Sequence, residues 1–377
     1  MKMSEYNLIL ENSDTTMHIA MVEKYPDIQL SGRPLVSLQN DVASIPLVAE
    51  NERGALFSGI LADVVRHVMH EKAYAGKAAF WKYLPFNYRK VPVGLRNLIL
   101  AHFMSKKAVK PDDGRVKAFV DFLDVLRNKK FDFAANDVYI FFQEQPLLIL
   151  SHDIDTGEGF DWVLPIAEVE ESLGFRSTWN IVTGEYGIRG DILEKLVSKG
   201  HSIGWHELIH DNKFPFLDRG EMDARISESM WFIEKYKVKG FRSPSYLFTS
   251  NMFESLKNVF SYDSSRLDYD DISGNSPRGC CCPYPFLLES GLLEIPVTIP
   301  FEMPFLKKQY HTGYWNDKID FLIKNNALLH VNTHPDPHYS GNDNMIAEYA
   351  VMLKSIKEKQ VKNRLAEEIS GDINGQR

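Results

Sequence analysis

The feature that most limits how this chain can fold is the alternation of short apolar segments with amphipathic segments from Leu147 to Lys359. Apolar and β-branched residues predict strands at Leu147–Ser151, Arg176–Val182, His201–Trp205, Phe241, Leu292–Val297 and Ala327–Thr333. Apolar residues at helical spacing predict helices between these strands. Repeated strand–helix units indicate a parallel sheet, and this many units favour a closed or nearly closed barrel. We therefore predict an α/β, TIM-like barrel whose chemistry lies where strands end in loops.

The chain has 377 residues, more than a common single domain, which indicates two compact parts. Residues 1–145 are predicted to be a mostly helical accessory region, because apolar residues recur at helical spacing around Ile60–Val68 and Phe119–Leu126. Residues 146–360 form the predicted barrel domain. Residues 361–377 are polar and are predicted to be a frayed tail.

Composition and charge exclude several classes of protein. Lys and Arg total 43 against 51 Asp and Glu, and the net charge of −8 opposes a nucleic-acid partner. The three cysteines are adjacent, at 280–282, which cannot build a secreted disulfide framework and fits a reducing compartment. No apolar run approaches the roughly 20 residues that span a bilayer, and the amino terminus lacks the apolar run of a signal peptide. We expect a cytoplasmic protein without a transmembrane segment.

A locally basic strip lies within residues 82–110, where cations alternate with apolar residues. Its cations are Lys82, Arg89, Lys90, Arg96, Lys106 and Lys107. Such a strip fits peripheral contact with an anionic membrane surface, or a phosphate. The commoner interpretation of such a pattern is a helix packed on the domain with its lysines in solvent.

Two carboxylates follow the first predicted strand of the barrel, in His152-Asp153-Ile154-Asp155. Carboxylates this close repel each other unless a cation or a shared proton intervenes. A bound metal ion would resolve this conflict. The alternative is that one aspartate caps the next helix, since Asp is a favoured N-cap residue.

The segment His206-Glu207-Leu208-Ile209-His210 places two histidines four residues apart after another predicted strand. On one helical turn both imidazoles would point the same way, as two ligands of one divalent ion must. The same residues spell H-E-x-x-H, in which Glu207 would be the general base of a zinc peptidase. Lys213 and Phe216 stand where the longer peptidase motif requires Gly and His. The peptidase is therefore the second hypothesis.

A later strand end carries an arginine and two further acids. Arg242, in Arg242-Ser243-Pro244, can orient a carboxylate bidentately from a barrel mouth. Asp263 and Asp268, on the next strand end, are its available partners. We expect both aspartates, together with Tyr246, to orient the substrate or the arginine.

The last predicted strand carries two histidines with different expected roles. Period-two alternation places His330, Asn332 and His334 on one face of this strand. Pro335 ends the strand directly after His334, so His334 is expected at the rim. His330 lies deeper and is expected to be a hydrogen-bonded core histidine.

Taken in chain order, these motifs resemble those of the NodB-homology polysaccharide deacetylases, carbohydrate esterase family 4, of the type found in surface-polysaccharide gene clusters. The resemblance covers the chain from about Leu147 to Tyr349 and rests on motifs at His152–Asp155, Gly200–His210, Arg242–Pro244 and His334. Asp263–Tyr269 matches the family's fourth motif only loosely. Outside this core, Leu84–Pro92 resembles a segment of deacetylase-like proteins from such gene clusters.

The resemblance implies a distorted, incomplete (β/α) barrel of the NodB type, to which the mostly helical region is an extension. It also implies one divalent metal ion, bound by Asp155, His206 and His210. We expect this ion to be zinc, with cobalt, manganese and nickel as alternatives, because mixed carboxylate and imidazole ligands suit these metals.

The resemblance further implies the catalytic roles. Asp153 would be the base, Arg242 would orient it, and His334 would protonate the leaving group. The substrate would be an acetylated sugar or saccharide, with an N-acetyl group preferred over an O-acetyl group. Two other hypotheses stay open, namely the zinc peptidase centred on Glu207 and a barrel that binds a saccharide without catalysis. Acetate release from acetylated sugars distinguishes the deacetylase from both.

Overall fold

The computed structural model describes residues 4–11, 16–21, 30–40, 44–70, 114–268, 279–306 and 311–376. The basic strip at 82–110 and the segment at 84–92 lie outside the described residues. None of the helices in the described ranges has the length and apolarity that a membrane crossing needs.

An antiparallel sheet occupies the start of the chain. Its five strands are β1 (Ser4–Leu10), β2 (Thr16–Met21), β3 (Arg33–Gln39), β4 (Ser44–Asn51) and β5 (Gly54–Phe57). They are arranged in the order β2-β1-β3-β4-β5. The two predicted amphipathic helices are confirmed as α1 (Leu61–His70) and α2 (Gly114–Asn128).

The expectation of a mostly helical amino-terminal region is wrong for residues 4–57. Tyr6, Leu8 and Leu10 are buried in β1 and alternate with less buried residues, which is the period of a strand with one face on a core. Antiparallel hairpins with such alternation form a sheet. The helical spacing noted in the sequence belongs to α1 and α2, which come after these strands.

Within the residues that the structure describes, the larger sheet has ten strands. They are β6 (Leu147–Ile154), β7 (Thr178–Ile181), β8 (Ser202–Trp205), β9 (Gly240–Phe241), β10 (Tyr262–Asp263), β11 (Phe286–Leu287), β12 (Leu293–Glu294), β13 (Ile299–Pro300), β14 (Leu328–Thr333) and β15 (Lys362–Asn363). Their order is β11-β12-β10-β9-β8-β7-β6-β14-β13, and β15 also pairs with β6. Each pair is parallel except β11 with β12.

Helices follow most of these strands and cover the sheet. They are α3 (Phe160–Ser172), α4 (Gly190–Ser198), α5 (Arg219–Tyr236), α6 (Ser250–Leu256), α7 (Met303–Leu306), α8 (Asn316–Lys324), α9 (Asp343–Glu358) and α10 (Ala366–Gln376). Every residue of β6 and β14 is buried, as expected for parallel strands that have cover on both faces.

One short segment, residues 292–301, contacts both sides of the curled sheet. The amide of Ile295 donates to the carbonyl of Asp263 at 2.9 Å, beside β10, while the amide of Phe301 donates to the carbonyl of Asn332 at 3.0 Å, in β14. The segment contains the two-residue strands β12 and β13, and through them it joins the two ends of the row of parallel strands. The predicted distorted, incomplete (β/α) barrel is confirmed.

The carboxyl-terminal residues are not a frayed tail over 362–376. They form β15 and α10, and Ala366, Ile369 and Ile373 of α10 are buried against Leu147 and neighbouring apolar residues of the sheet. These residues are three to four positions apart and share one helical face, so a sequence that is polar on average still has an apolar stripe.

We expect Ile369→Ala to lower the free energy of unfolding by about 2 to 4 kcal/mol, because it removes a buried aliphatic side chain and leaves a cavity. Ile369 is 2% exposed. Urea denaturation measures the change, and Gln376→Ala, at an exposed position of the same helix, is the matched control. Equal stability of the two variants would show that α10 does not contribute to the fold.

Candidate active site

Strand register brings the polar residues of three neighbouring strands together at the carboxyl end of the sheet. Asp153 of β6 lies opposite Asn180 of β7, and Ser151 of β6 lies opposite Asn332 of β14. Parallel strands expose their carboxyl ends at one edge, where loops can add further side chains. The predicted site residues that follow β6, β8, β9 and β14 therefore face one region.

The three predicted metal ligands lie together and are buried. Nε2 of His206 is 3.2 Å and Nε2 of His210 is 3.4 Å from Oδ1 of Asp155, and one donor atom from each residue lies within 4.8 Å of the others. Nδ1 of His206 donates to the carbonyl of Arg242 at 2.7 Å, which orients Nε2 towards Asp155 as the nitrogen available to a metal ion. One carboxylate and two imidazoles fit a divalent ion of the zinc type and leave coordination positions for other ligands.

The predicted helical turn over His206–His210 is wrong. The segment has neither helical nor strand structure, and Glu207 has a φ of +75°. The amides of Thr183 and Gly184 donate to the carbonyls of Glu207 at 3.1 Å and Leu208 at 2.8 Å, so the loop follows the end of β7. The two imidazoles converge through this loop path.

Glu207 does not face the metal-site residues. Both of its carboxylate oxygens accept hydrogen bonds at 3.0 Å from Nη1 of Arg225, on α5. Burial raises the pKa of Glu207 to about 8, although the charge of Arg225 acts in the opposite direction. In a zinc peptidase, the glutamate lies on a helix and acts beside the metal ion that the two histidines bind. That arrangement is not formed here.

Asp153 lies beside the metal-site residues and is held by two strands. Its Oδ1 accepts a hydrogen bond from Asn180 at 2.7 Å, and its Oδ2 accepts one from Asn332 at 2.9 Å and one from Arg242 at 3.3 Å. Burial raises the pKa of Asp153, but the charge of Arg242, followed by those of His206 and His334, outweighs burial and lowers the pKa to about 2. Asp153 is therefore an ionised carboxylate at neutral pH.

Arg242 contacts Asp153, as predicted, but its other contacts differ from the prediction. Its Nη2 donates to Ser264 at 2.9 Å. Asp263 instead accepts hydrogen bonds from the hydroxyl and the amide of Ser265, and Asp268 forms an ion pair with Lys318 at 2.8 Å. A buried serine thus holds the guanidinium where an aspartate was expected.

Tyr246 is part of the same cluster. Its ring lies 5.4 Å from the guanidinium carbon of Arg242, and its hydroxyl accepts a hydrogen bond from Asn332 at 2.7 Å. Tyr246 therefore supports Asn332 and Arg242, which both contact Asp153.

The two histidines of the last strand have the positions expected for them. His330 is 1% exposed, and its Nδ1 and Nε2 lie 3.2 Å from the carbonyl of Pro296 and 3.0 Å from the hydroxyl of Ser151. The side chain of His334 is 21% exposed, and its Nε2 lies 3.8 Å from Oδ2 of Asp153. His330 is confirmed as a hydrogen-bonded core histidine, and His334 lies at the rim.

Glu302 is a site residue that the sequence analysis missed. Its carboxylate accepts hydrogen bonds from the amide of His334 and from Ser340, and it lies 3.4 Å from Nδ1 of His334. Burial lowers the pKa of His334, but Glu302, with Asp155 and Asp153, outweighs burial and raises it to about 10. Glu302 lies two residues after β13, close to the end of a strand, but its contact with His334 depends on the pairing of β13 with β14.

Asp336 is a second missed residue. Its Oδ2 accepts the amide of Asp155 at 3.1 Å, and its Oδ1 accepts the hydroxyl of Thr156. It is 3% exposed. Asp336 therefore fixes the backbone turn that presents Asp155, a role that depends on the pairing of β6 with β14 and has no local sequence signal.

Gly204 of β8 makes room for Asn180. A Cβ at position 204 would lie 2.0 Å from Oδ1 of Asn180, which is too close for any real contact. We expect Gly204→Ala to displace Asn180 from Asp153 and to lower the free energy of unfolding by about 1 to 3 kcal/mol, the usual cost of overpacking. Denaturation measures the change in stability, and acetate release measures the effect of displacing Asn180 from Asp153. Gly187→Ala, where a Cβ meets open space, is the control, and indistinguishable variants would contradict the packing role.

No protein-family model matches the chain, and no curated protein matches it. Solved structures that resemble it include a probable polysaccharide deacetylase from Pseudomonas aeruginosa PAO1, at 14% identity and a TM-score of 0.48, over 60% of this chain and 89% of that one. Another is a mutant of the peptidoglycan deacetylase PdaC from Bacillus subtilis, at 10% identity and a TM-score of 0.39, over 62% of this chain and 93% of that one. A third is Puue allantoinase, at 13% identity and a TM-score of 0.45, over 60% of this chain and 89% of that one. At these values we draw no functional conclusion from the likeness.

Proposed function

We propose that this chain is a metal-dependent hydrolase that removes an acetyl group, preferably an N-acetyl group, from a sugar or saccharide. The observation that carries the proposal is the pairing of Asp153 and His334, 3.8 Å apart, beside the buried cluster of Asp155, His206 and His210. An amide is cleaved when water attacks its carbonyl carbon and the departing nitrogen receives a proton. The site holds one group for each of these proton transfers.

A divalent ion held by Asp155, His206 and His210 would polarise the acetyl carbonyl and lower the pKa of water from 15.7 towards about 7. Asp153 accepts the proton of the attacking water, because its carboxylate is ionised. His334 donates a proton to the leaving nitrogen from Nε2, because Glu302 stabilises its imidazolium. Acid and base assistance of this kind typically contributes about 10² to 10⁴ in rate for each group.

The charge states of these two groups support their roles. A pKa of about 2 keeps Asp153 ionised, and a pKa of about 10 keeps His334 protonated, so base and acid are both ready at neutral pH. Pairs of groups whose surroundings separate their pKa values are typical of acid–base sites. Glu207, which would be the base of a peptidase, is bound to Arg225 instead.

The proposal is tested by metal analysis together with an acetate assay on a panel of N-acetylated and O-acetylated sugars. We expect about one divalent ion per chain, with zinc first, and zinc-dependent acetate release from an N-acetyl sugar. Peptide cleavage without acetate release would support the peptidase. Saccharide binding without acetate release in the metal-loaded protein would support a non-catalytic barrel. Either result would refute the deacetylase.

We expect Glu302→Gln to lower turnover by about 10-fold or more near neutral pH and to move the alkaline limb of the pH–rate profile to lower pH. Glu302 raises the pKa of His334, so its removal lowers that pKa, and the protonated acid is then lost at lower pH. The profile of turnover against pH measures the shift. Metal content should not change, since Glu302 contacts His334 and Ser340 and not the three proposed ligands. An unshifted alkaline limb would contradict the role of His334 as the acid.

A further inference from the structure

The loop 206–211 carries both histidines of the proposed metal site and has no helix or strand to define its shape. Its first half is held by the end of β7, where Thr183 and Gly184 donate to the carbonyls of Glu207 and Leu208. A backbone amide of the loop, that of Asp211, donates within the loop to the carbonyl of Ile209 at 2.7 Å. The amide of His206 also donates to the carbonyl of Ile181 at 2.8 Å, so backbone bonds to β7 hold the start of the loop. Side-chain contacts then help to determine where His210 lies relative to His206.

One guanidinium supplies these side-chain contacts. Nη1 of Arg225 donates to both carboxylate oxygens of Glu207 at 3.0 Å and to Oδ1 of Asp211 at 3.1 Å, and its Nη2 donates to Oδ2 of Asp211 at 2.9 Å. The side chains of Glu207, Asp211 and Arg225 are 0%, 8% and 15% exposed. The contact with Asp211 is bidentate, and such contacts are both stronger and more directional than those of an exposed ion pair. We call these three residues the Arg225 clamp.

The clamp contacts the chain next to each ligand. Glu207 follows His206, and Asp211 follows His210. Glu207 adopts a φ of +75°, a conformation that costs a non-glycine residue free energy. In this conformation its carboxylate contacts Arg225 on α5, while the imidazole of the preceding His206 contacts Asp155. The ion pair with Arg225 offsets that cost. Arg225 therefore contacts the neighbours of both histidines and, together with the hydrogen bonds of His206 to Ile181 and Arg242, limits the separation of the two imidazoles.

We propose that Arg225 is a positioning residue, which with Glu207 and Asp211 holds His206 and His210 in ligand geometry before a metal ion binds. This inference rests on the proposed metal site and concerns residues outside the ligand set. It gives the glutamate of the H-E-x-x-H sequence a structural partner on α5 in place of a catalytic role. Preorganised ligands bind a metal more tightly, because less conformational entropy is lost on binding.

The test is the zinc affinity of the whole protein, measured by competition with a chromophoric chelator. We expect Arg225→Met to weaken zinc binding by about 10- to 100-fold, as is usual when a group that orients a ligand is removed. Turnover at saturating zinc should recover to within about threefold of the unaltered protein, because no reacting group has changed. Arg219→Met is the matched control, since Arg219 is on the same helix, is 66% exposed and pairs only weakly with Asp223 at 3.8 Å.

Removal of one member of a buried ion cluster can unfold a protein, because the remaining charges lose their partner. The triple variant Glu207→Gln, Asp211→Asn, Arg225→Met removes the guanidinium and both carboxyl groups of the clamp and leaves uncharged side chains of similar size. It should fold and should show the same loss of zinc affinity. Glu207→Gln alone distinguishes a role of Glu207 in the Arg225 clamp from a role as general base. Activity that is lost through weak metal binding returns with added zinc, whereas activity that is lost with a general base does not.

The outcomes separate the two proposals. If the unaltered protein binds zinc and the folded Arg225→Met and triple variants bind it equally well, the clamp is overturned and the metal site stands. If Glu207→Gln remains inactive at saturating zinc, Glu207 is a reacting group and the clamp is likewise overturned. If the unaltered protein binds no divalent metal after reconstitution, the proposed function fails first, and the clamp has no ligand pair to position.

Discussion

Asp153→Asn is expected to lower acetate release by about 10² to 10⁴-fold while the metal stays bound, because an amide cannot accept the proton of the attacking water. Asn has nearly the same shape, so the loss reports chemistry more than packing. Its second effect is on stability, since Arg242, at 1% exposure, loses its anionic partner. Turnover and metal content should therefore be measured well below the unfolding temperature.

The control for Asp153→Asn is Asp161→Asn, which makes the same chemical change at a side chain that is 71% exposed. The control should keep full turnover. Turnover of Asp153→Asn within about threefold of the unaltered protein would contradict the assignment of the base, because loss of a true general base costs far more. The zinc peptidase hypothesis gives Asp153 no role, so under it peptide cleavage would survive Asp153→Asn.

Asp155→Ala is expected to weaken zinc binding by more than about 100-fold and to abolish turnover, because a direct ligand should matter more than the outer groups whose loss costs 10- to 100-fold. Asp155 is the anionic member of the cluster with His206 and His210. Chelator competition measures the affinity, and Asp343→Ala, at an exposed position, is the control. Unchanged zinc affinity would place the ion elsewhere in the chain.

The sequence predicted the strands at β6, β7, β8, β9, β12 and β14, because buried strands leave a plain apolar signal. The polar residues that follow them included Asp153, Asp155, His206 and His210, and the family resemblance selected Asp155, His206 and His210, which lie together. The helical turn over His206–His210 was not correct, because the spacing of two residues defines a backbone only if the intervening hydrogen bonds form. Here Thr183 and Arg225 hold a loop instead.

The missed residues have in common that their roles depend on strands far apart in sequence. Asn180 reaches Asp153 through the register of β6 and β7 and through the absence of a side chain at Gly204. Glu302 reaches His334 because the segment 292–301 lies beside β14. Local patterns contain no information on register, so neither contact could be read from the sequence. The amino-terminal sheet was not predicted, because the helical spacing that was recognised belongs to α1 and α2, which follow the sheet in the chain.

The joining of the two sheet ends by residues 292–301 has a consequence for how the chain folds. Asn332 and Asp153 are 179 positions apart, so the surroundings of the proposed base exist only after the last barrel strand has docked beside the first. Contacts between such distant residues have a high entropic cost of loop closure, and they generally form late and slowly. A chain in which β14 has not docked lacks the contacts of Asn332 and His334 with Asp153, so the proposed acid–base pair is not assembled. If the proposed function holds, we therefore expect activity to appear only late in folding, once β14 has docked beside β6.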